Sequence, residues 1–346
     1  MSLLRWLAAP LAPLYAGVIR TRNRAFDRHP ERTARVEAPV ISIGNLSTGG
    51  TGKTPLTLTL AEALRAEGWP VVILSRGYRG KRTVDPMDVE PGSSPGEAGD
   101  EPVLMARRLG PGQVVVGRKR HAAALRALSR TPVPRALLLD DGFQHRALHR
   151  DLDLLLLDGV RLWGNGRMLP LGDLREPMES ASRADALVVT RGGRSDRAAV
   201  AAWWEKYGSG GPIFWVDFAI GALRRLDTGE RLTPPLDLGP LLAFCALGHP
   251  EAFYADLLVA GASWVETRSY PDHHPISPRE LEILQQSALR LGARGLVCTE
   301  KDAVKLGAAH LQRLTLPLWV AEQTVLGADP LVEFVRERLE NGFCTR

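Results

Sequence analysis

Residues 47–54 have the residue types and the spacing of a phosphate-binding loop. They form the run STGGTGKT, which matches the pattern G-x-x-x-x-G-K-[ST] except that a serine stands at the first glycine position. The glycines allow the backbone to turn so that successive N–H groups point inward at a phosphate. In such a loop Lys53 reaches the β- and γ-phosphate oxygens, and the hydroxyl of Thr54 can bind Mg²⁺. The residues predicted to bind a nucleoside triphosphate are Ser47, Thr48, Gly49, Gly50, Thr51, Gly52, Lys53 and Thr54.

Two carboxylates, Asp140 and Asp141, follow an apolar run at residues 136–139. An acid at the end of a strand, downstream of a phosphate-binding loop, is typical of a Walker B segment that holds Mg²⁺. The alternative is that Asp-Asp-Gly is only favourable turn chemistry after a strand. The loop upstream favours the metal-binding interpretation, and the sequence leaves open which of the two acids lies closer to the metal.

Acid–base chemistry has candidates in three short segments. Asp100 and Glu101 open a predicted helix in the run GDEP, where helix capping alone would explain them. His145 follows the Walker B acids and could face the phosphates or merely cap the strand end. His273 and His274, in the run PDHHP, point to different sides of an extended segment, so we expect one functional histidine or, alternatively, a solvated loop. A histidine near an aspartate can orient a general base for phosphoryl transfer to a hydroxyl.

Basic residues lie where an anionic substrate would bind. Arg76 and Arg79 follow an apolar strand, and ligands bind at that edge of a parallel sheet. Lys301, in the run TEKDAVKL, opposes the dipole at the start of a predicted helix, which indicates a role other than helix formation. These three side chains are candidates for substrate contact.

The elements that must position these residues can be recognised from periodicity. Short apolar runs alternate with helical stretches from residue 39 onward, starting with a buried strand at 39–45 and a helix at 55–67. Strands that alternate with helices form a parallel sheet covered on both faces. The predicted fold class is therefore α/β, with a P-loop NTPase-like core and a second, smaller α/β domain.

Changes in this pattern divide the chain into domains. Residues 31–205 are predicted to form the P-loop core, and 241–346 the smaller C-terminal α/β domain. Residues 206–240, rich in glycine and proline, are predicted to be a linker. Residues 91–99, with the sequence PGSSPGEAG, are predicted to be an exposed loop.

Composition excludes several classes of protein. Of 346 residues, 45% are apolar and 24% charged, which are ordinary globular values and exclude disorder, a collagen-like fibre and a polytopic membrane protein. The three cysteines are widely spaced, so neither a disulfide framework nor a structural zinc site is expected. The net charge is +5, but the arginines are dispersed instead of clustering with aromatic residues, so no nucleic-acid partner is predicted.

The N-terminal segment is apolar and then basic. Residues 2–19 contain Arg5, Pro10 and Pro13 within an apolar run, and a series of arginines follows. A secretory signal peptide is one interpretation, although the prolines interrupt its apolar region. A helix packed on the domain is a second. The pattern favours a third, in which residues 1–30 form an interfacial helix whose arginines meet an anionic membrane surface.

Several segments, in this order, resemble the tetraacyldisaccharide 4′-kinases of lipid A biosynthesis: ISIGNLSTGGTGKTP, LSRGYRG, GDEP, LLLDDGFQH, ALGHPEAF, YPDHH and TEKDAVKL. The resemblance implies a P-loop core and a smaller domain with the active site in the cleft between them. It implies a kinase that uses Mg·ATP to phosphorylate the 4′-hydroxyl of an acylated glucosamine disaccharide 1-phosphate, giving lipid IVA. It also implies a peripheral protein on the cytoplasmic face of the inner membrane.

The resemblance further implies roles for individual residues. The phosphate-binding loop and the Walker B pair keep the roles given above. Asp100 becomes the catalytic base, and His273, preferred to His274 because the Asp-His pair matches the family pattern, orients or assists it. Further active-site candidates are Glu101, Gln144 and His145.

A different class of function remains as the alternative, a P-loop regulatory or metallochaperone-type NTPase that acts through a partner protein. Dimeric partitioning ATPases place a second lysine at the position that Thr48 occupies, and the cysteines form no cluster. Both observations favour the kinase. The run ALGHP departs from the family in one respect, because it has His249 where an asparagine is expected.

Overall fold

One mixed sheet runs through the protein. The computed structural model describes residues 10–130 and 132–342, and within them the sheet has thirteen strands. The strands are β1 (Val40–Asn45), β2 (Val71–Ser75), β3 (Met87–Val89), β4 (Val114–Val116), β5 (Ala136–Asp140), β6 (Leu152–Asp158), β7 (Ala186–Thr190), β8 (Ile213–Arg225), β9 (Arg231–Leu232), β10 (Pro240–Cys245), β11 (Ser263–Ser269), β12 (Gly295–Thr299) and β13 (Leu318–Leu326). Their order is β11-β10-β12-β13-β8-β7-β6-β1-β5-β2-β4-β3, and β9 pairs with β8.

Helices cover the sheet. They are α1 (Leu11–Arg28), α2 (Lys53–Ala66), α3 (Pro95–Ala98), α4 (Asp100–Leu109), α5 (Arg120–Leu128), α6 (Arg197–Tyr207), α7 (Pro250–Val259), α8 (Pro278–Arg290), α9 (Glu300–Ala303), α10 (Ala308–Leu311) and α11 (Asp329–Glu340). Successive residues of β1 face opposite sides: Ile41 packs in one cluster with Leu56 of α2, whereas Val40 packs in another with Ala123 of α5. Both faces are therefore buried under helices, and the predicted α/β fold class is confirmed.

The parallel strands bring several polar residues to one edge of the sheet. Strand β1 lies between β5 and β6, and β5 also pairs in parallel with β2. The carboxyl ends of these four strands therefore meet at the same edge, where they present Asn45, Ser75, Asp140 and Asp158. The phosphate-binding loop and the Walker B acids are neighbours for this reason.

The segment expected to be a linker contains a long strand. Within residues 206–240 lies β8, whose residues 213–216 pair in parallel with β7 and whose residues 217–225 pair antiparallel with β13. The glycines just before β8 explain why this segment has the composition of a linker. In the structure, β8 joins the strands of the P-loop half to those of the half formed by β10–β13. The division into domains at 31–205 and 241–346 stays a prediction, and residues 343–346 lie outside the described part of the chain.

The segment 91–99, predicted to be an exposed loop, contains the short helix α3, and four of its nine residues are exposed. Ala98 at the end of α3 is buried. Gly99 has φ +96°, and a Cβ there would lie 2.8 Å from the carbonyl oxygen of Tyr78. Only glycine suits this junction, which sets Asp100 as the first residue of α4.

Helix α1 packs on the P-loop half and also presents apolar side chains to solvent. Its Asn23 is buried and donates a hydrogen bond of 2.7 Å to Glu176. Leu11, Leu14 and Val18 are 57%, 66% and 57% exposed. Residues 1–9 of the predicted interfacial segment lie outside the described residues. Among residues 10–130 and 132–342, no helix combines the length and the apolar character needed to cross a bilayer.

Candidate active site

The phosphate-binding loop joins β1 to α2. Gly49 and Gly52 have φ of +108° and +81°, in the left-handed region that favours glycine. At Gly52 the space is also closed, because a Cβ would lie 2.0 Å from the ring of Phe218. The N–H of Thr48 donates to the carbonyl oxygen of Asp173 at 2.7 Å, which holds the start of the loop. Residues 47–54 thus end at the N-terminus of a helix, the arrangement that binds anions.

Lys53 bridges the loop and the Walker B segment. Its Nζ donates to Oδ1 of Asn45 at 3.2 Å and lies 3.5 Å from Oδ1 of Asp141. The amide of Asn45 in turn donates to the hydroxyl of Thr51 at 3.0 Å. Thr54 is the second residue of α2 and is half-buried. Asn45 was not among the predicted site residues, although its position at the end of β1 is the signal that could have identified it.

The two Walker B acids have different environments. Asp140 ends β5 and is buried, with one carboxylate oxygen accepting a hydrogen bond of 3.1 Å from Ser75. Asp141 adopts φ +50° and forms an ion pair of 3.0 Å with Arg175. Burial, together with Glu101 and Asp141, raises the pKa of Asp140 well above its usual range. Burial acts on Asp141 in the same direction, but Lys53 and Arg175 outweigh it and lower the pKa of that carboxyl.

The residues present fit a divalent cation. The Oδ1 atom of Asp140 is buried and has no hydrogen-bond partner among the described residues. Hard cations such as Mg²⁺ take carboxylate and hydroxyl oxygens as ligands. A bound cation would satisfy this oxygen and favour the charged form of Asp140, whereas Asp141 already has Arg175 as a partner.

Asp100 and His273 meet across the molecule. Nδ1 of His273 lies 3.0 Å from Oδ2 of Asp100, and the two residues are 173 positions apart in the chain. Their side chains are only 14% and 16% exposed. Lys305 is a further neighbour, with its Nζ 4.0 Å from Oδ2 of Asp100. The structure therefore brings together the GDEP, PDHHP and TEKDAVKL segments.

The tautomer of His273 follows from its other neighbour. Nζ of Lys301 lies 3.1 Å from Nε2 of His273, and an ammonium group can only donate. Nε2 is therefore assigned as the acceptor, so Nδ1 carries the proton and donates it to Asp100. Lys301 also donates to Asp272 at 3.1 Å. Burial acts to raise the pKa of that carboxyl, but the surrounding positive charge, mainly that of Lys301, lowers it.

His274 has separate partners. Its ring stacks on Tyr270 with centroids 5.0 Å apart, and its Nε2 lies 2.9 Å from Oε1 of Glu280. The two adjacent histidines thus turn to different sides, as expected for this segment. The backbone of His273 helps to separate them, because its φ is +66°.

The remaining predicted residues lie around these groups. Gln144 donates from Nε2 to the backbone oxygen of Asn45 at 2.9 Å, and so supports the end of β1. Burial, together with the charge of Arg120, lowers the pKa of His145 to about 4, so this ring is neutral at pH 7. Arg79 is exposed and donates to the backbone oxygen of Asp272 at 3.3 Å. Arg76 is exposed, and no hydrogen bond ties it within the described residues.

Two arginines near the Walker B acids were missed by the sequence analysis. Arg120 opens α5, is buried, and donates to the backbone oxygen of Gly117 at 2.9 Å. Burial lowers its pKa to about 10, against the opposing effect of Asp140 and Asp141. Arg175 binds Asp141 directly. Arg120 follows β4 at the ligand-binding edge, a signal that it shares with Arg76, but nothing local distinguished Arg175 from the other arginines.

The fold and the site define a P-loop nucleotide-binding protein. In the parallel sheet, a phosphate-binding loop follows one strand and paired acids follow the neighbouring strand. A model of the family LpxK, Tetraacyldisaccharide-1-P 4′-kinase, matches residues 4–340. The tetraacyldisaccharide 4′-kinase of Chromobacterium violaceum is 38% identical over 341 residues, covering 97% of this chain and 95% of that protein. The enzyme of the same name from Geobacter sulfurreducens is 40% identical over 339 residues, covering 94% and 89%.

Among solved structures, LpxK from Aquifex aeolicus in complex with ATP is similar, with a TM-score of 0.75 and 32% sequence identity. The match covers 97% of this chain and 99% of that one. The chain therefore belongs to the tetraacyldisaccharide-1-P 4′-kinase family. The family predicted from the motifs is confirmed, and with it the prediction that this protein is an enzyme and a kinase. The regulatory NTPase alternative finds no support in these relatives.

Proposed function

We propose that this protein transfers the γ-phosphate of Mg·ATP to the 4′-hydroxyl of a tetraacyldisaccharide 1-phosphate, giving lipid IVA. The observation that carries the proposal is the hydrogen bond of 3.0 Å between Asp100 and His273. It supplies an oriented carboxylate in a protein whose Lys53 and Asp141 already meet at the phosphate-binding loop. Family membership supports the choice of acceptor, and the ATP complex of the Aquifex aeolicus relative supports the choice of donor.

The nucleotide and the metal have a defined set of residues in this proposal. The phosphates of ATP lie against residues 47–54, with Lys53 at the β- and γ-phosphate oxygens. Thr54, Asp140 and Asp141 would hold Mg²⁺, and Asp140 is proposed as the closer of the two acids because its buried Oδ1 has no hydrogen-bond partner among the described residues. When bound, Mg²⁺ neutralises charge that develops on the phosphate oxygens.

Asp100 acts as the general base. It accepts the proton of the 4′-hydroxyl while that oxygen forms a bond to the γ-phosphorus. The bond from the γ-phosphorus to the bridging oxygen breaks, and its electron pair leaves on ADP. Lys53 and Arg120 contribute positive charge near the phosphates and the Walker B acids.

His273 orients the base. Because Lys301 donates to Nε2, the ring presents its Nδ1 proton to Asp100 and holds one carboxylate oxygen in place. The other oxygen is then available for the acceptor hydroxyl. This positioning follows from a network that spans both halves of the sheet.

The acceptor is anionic, so basic side chains at the site suit it. Arg76 and Arg79 are exposed at the edge of the sheet and can bind the 1-phosphate. Lys301, between His273 and Asp272, adds charge beside the base. Other residues proposed to line the active site are Glu101, Gln144 and His145.

The membrane surface is proposed as the place of reaction, on the cytoplasmic face of the inner membrane. Helix α1 presents Leu11, Leu14 and Val18 to solvent and carries several arginines. An amphipathic helix of this kind lies in the headgroup region, where its arginines are attracted to anionic lipid.

Transfer of a labelled γ-phosphate tests the function. Purified protein, Mg·ATP and tetraacyldisaccharide 1-phosphate in detergent micelles should give a labelled lipid product. Lys53→Ala should abolish transfer and Asp100→Ala should slow it by roughly 10²- to 10⁴-fold. Glu90→Ala, at an exposed acid away from the site, should leave transfer unchanged. Near wild-type turnover by Asp100→Ala would contradict the assignment of the base, and ATP hydrolysis without lipid labelling would favour the NTPase alternative.

Co-sedimentation with vesicles of phosphatidylglycerol and phosphatidylethanolamine tests the membrane proposal. The double variant Leu14→Asp/Val18→Asp should lose binding. Leu258→Asp/Val259→Asp introduces the same charge at exposed apolar positions of α7 and should bind normally. Equal binding by both variants would exclude α1 as the anchor.

A further inference from the structure

Arg161 is held over the phosphate-binding loop by a rigid turn. It follows β6 in a turn capped by Asp158, whose Oδ1 accepts the backbone N–H groups of Val160 and Arg161 at 3.0 and 3.2 Å. Asp158 is itself fixed by an ion pair of 2.5 Å with Arg191. The backbone of Arg161 is therefore positioned before any ligand binds.

The guanidinium of Arg161 reaches from this turn to the loop. Its Nη1 lies 3.0 Å from the position that a Cβ on Gly49 would occupy. The same Nη1 lies 2.9 Å from Nε2 of His249, and Nη2 lies 3.3 Å from Oδ2 of Asp173. The side chain is 42% exposed. The arginine thus faces an open space beside the loop and contacts a residue from the other half of the sheet.

That open space is a crevice, and the residues that line it indicate the chemistry of a ligand. It is lined by residues 47–51 of the loop and by Asp158, Arg161, Gly164 and Asp173. Arg161 offers a planar guanidinium whose N–H donors match phosphate oxygens, whereas the N–H groups of Thr48 and Thr51 on the loop wall already donate to the carbonyl oxygens of Asp173 and Gly49. Gly49 leaves room for the guanidinium because it has no side chain.

We propose that Arg161 binds the terminal phosphate of the nucleoside triphosphate and stabilises the charge on it during transfer. This rests on the proposed function, in which residues 47–54 bind ATP. The inner phosphates are held by the backbone of the loop and the N-terminus of α2, so the guanidinium beside Gly49 is left for the outermost one. A charged phosphate oxygen is a stronger acceptor than the ring nitrogen of His249, so Nη1 of Arg161 exchanges His249 for the phosphate when ATP binds.

Comparison of ADP with a non-hydrolysable ATP analogue tests this assignment. Titration calorimetry of the full chain with Mg²⁺ should show that Arg161→Ala weakens binding of the analogue by about 10-fold or more, the loss of a charge-assisted contact. Binding of ADP, which lacks the terminal phosphate, should change less than about 2-fold. Arg161→Lys keeps the positive charge but lacks the planar guanidinium. Its affinity for the analogue should therefore lie between those of wild type and Arg161→Ala. It also provides the comparison if Arg161→Ala does not fold.

A matched control lies in the segment between β6 and β7, which also contains Arg161. Arg167→Ala removes the same charge from an exposed position and should leave both affinities unchanged. Equal losses for ADP and the analogue on changing Arg161, or no loss for either, would overturn the assignment. Wild-type protein that binds both nucleotides but labels no lipid would refute the proposed function, while the ratio of affinities would still decide the role of Arg161.

Discussion

The pairing of Asp100 with His273 makes a quantitative prediction about catalysis. In His273→Ala, Asp100 loses a hydrogen bond of 3.0 Å, and the ammonium group of Lys305 is 4.0 Å from the same carboxylate. A hydrogen bond to a charged group contributes about 1.5–3 kcal/mol. If that orientation is needed in the transition state, kcat should fall by roughly 10- to 150-fold. Loss of the base itself in Asp100→Ala should cost more, roughly 10²- to 10⁴-fold.

The double variant separates a positioning role from an independent one. Because His273 acts through Asp100, removing it from an Asp100→Ala background should cost almost nothing. The assay is the initial rate of phosphate transfer at saturating ATP and lipid, with thermal unfolding as a check on the fold. His274→Ala is the matched control and should change kcat by less than about 3-fold, since this ring binds Glu280 instead.

Three results would refute the reasoning. If His273→Ala lowers kcat by the same factor in both backgrounds, the two residues act independently. If His274→Ala is as damaging as His273→Ala, the loss reflects the loop as a whole. A change confined to the KM for lipid would likewise assign His273 to acceptor binding.

Three further perturbations are read out by stability or by nucleotide binding. Gly52→Ala should abolish nucleotide binding, because φ is +81° and the new Cβ would lie 2.0 Å from the ring of Phe218. Titration calorimetry that shows ADP binding at wild-type affinity would contradict this. Arg108→Ala leaves Glu300, whose side chain is 11% exposed, without its ion pair of 2.9 Å. The free energy of unfolding in urea should therefore fall by about 1–3 kcal/mol, and a loss below about 0.5 kcal/mol would be inconsistent. Burial lowers the pKa of His145 from 6.5 to about 4, so the unfolded chain takes up the proton first and stability should decrease as pH falls from 6.5 towards 4, by up to about 3 kcal/mol. In urea titrations at several pH values, His145→Gln should weaken the pH dependence of the free energy of unfolding. A variant with the wild-type pH dependence would show that His145 is not its source.

Local motifs carried most of the prediction. The strand, loop and helix around residues 40–66 follow from apolar periodicity and from glycines that suit left-handed backbone, so they could be recognised without tertiary contacts. Strand β8 could not be recognised in the same way. Its pairing with β7 and β13 depends on residues far along the chain, and the adjoining glycines resembled a linker.

For the site, the sequence by itself determined the chemistry that its segments can perform: a phosphate-binding loop, a carboxylate pair, and an Asp-His run. Those assignments depend on residue type and short spacing, which the chain carries locally. Only the tertiary structure decided which groups meet. It joined Asp100 to His273 across 173 residues, gave the His273 ring its tautomer through Lys301, and brought Arg161 to Gly49. The physical reason is that hydrogen bonds and charge interactions act over a few ångströms, and the folded sheet alone sets those distances.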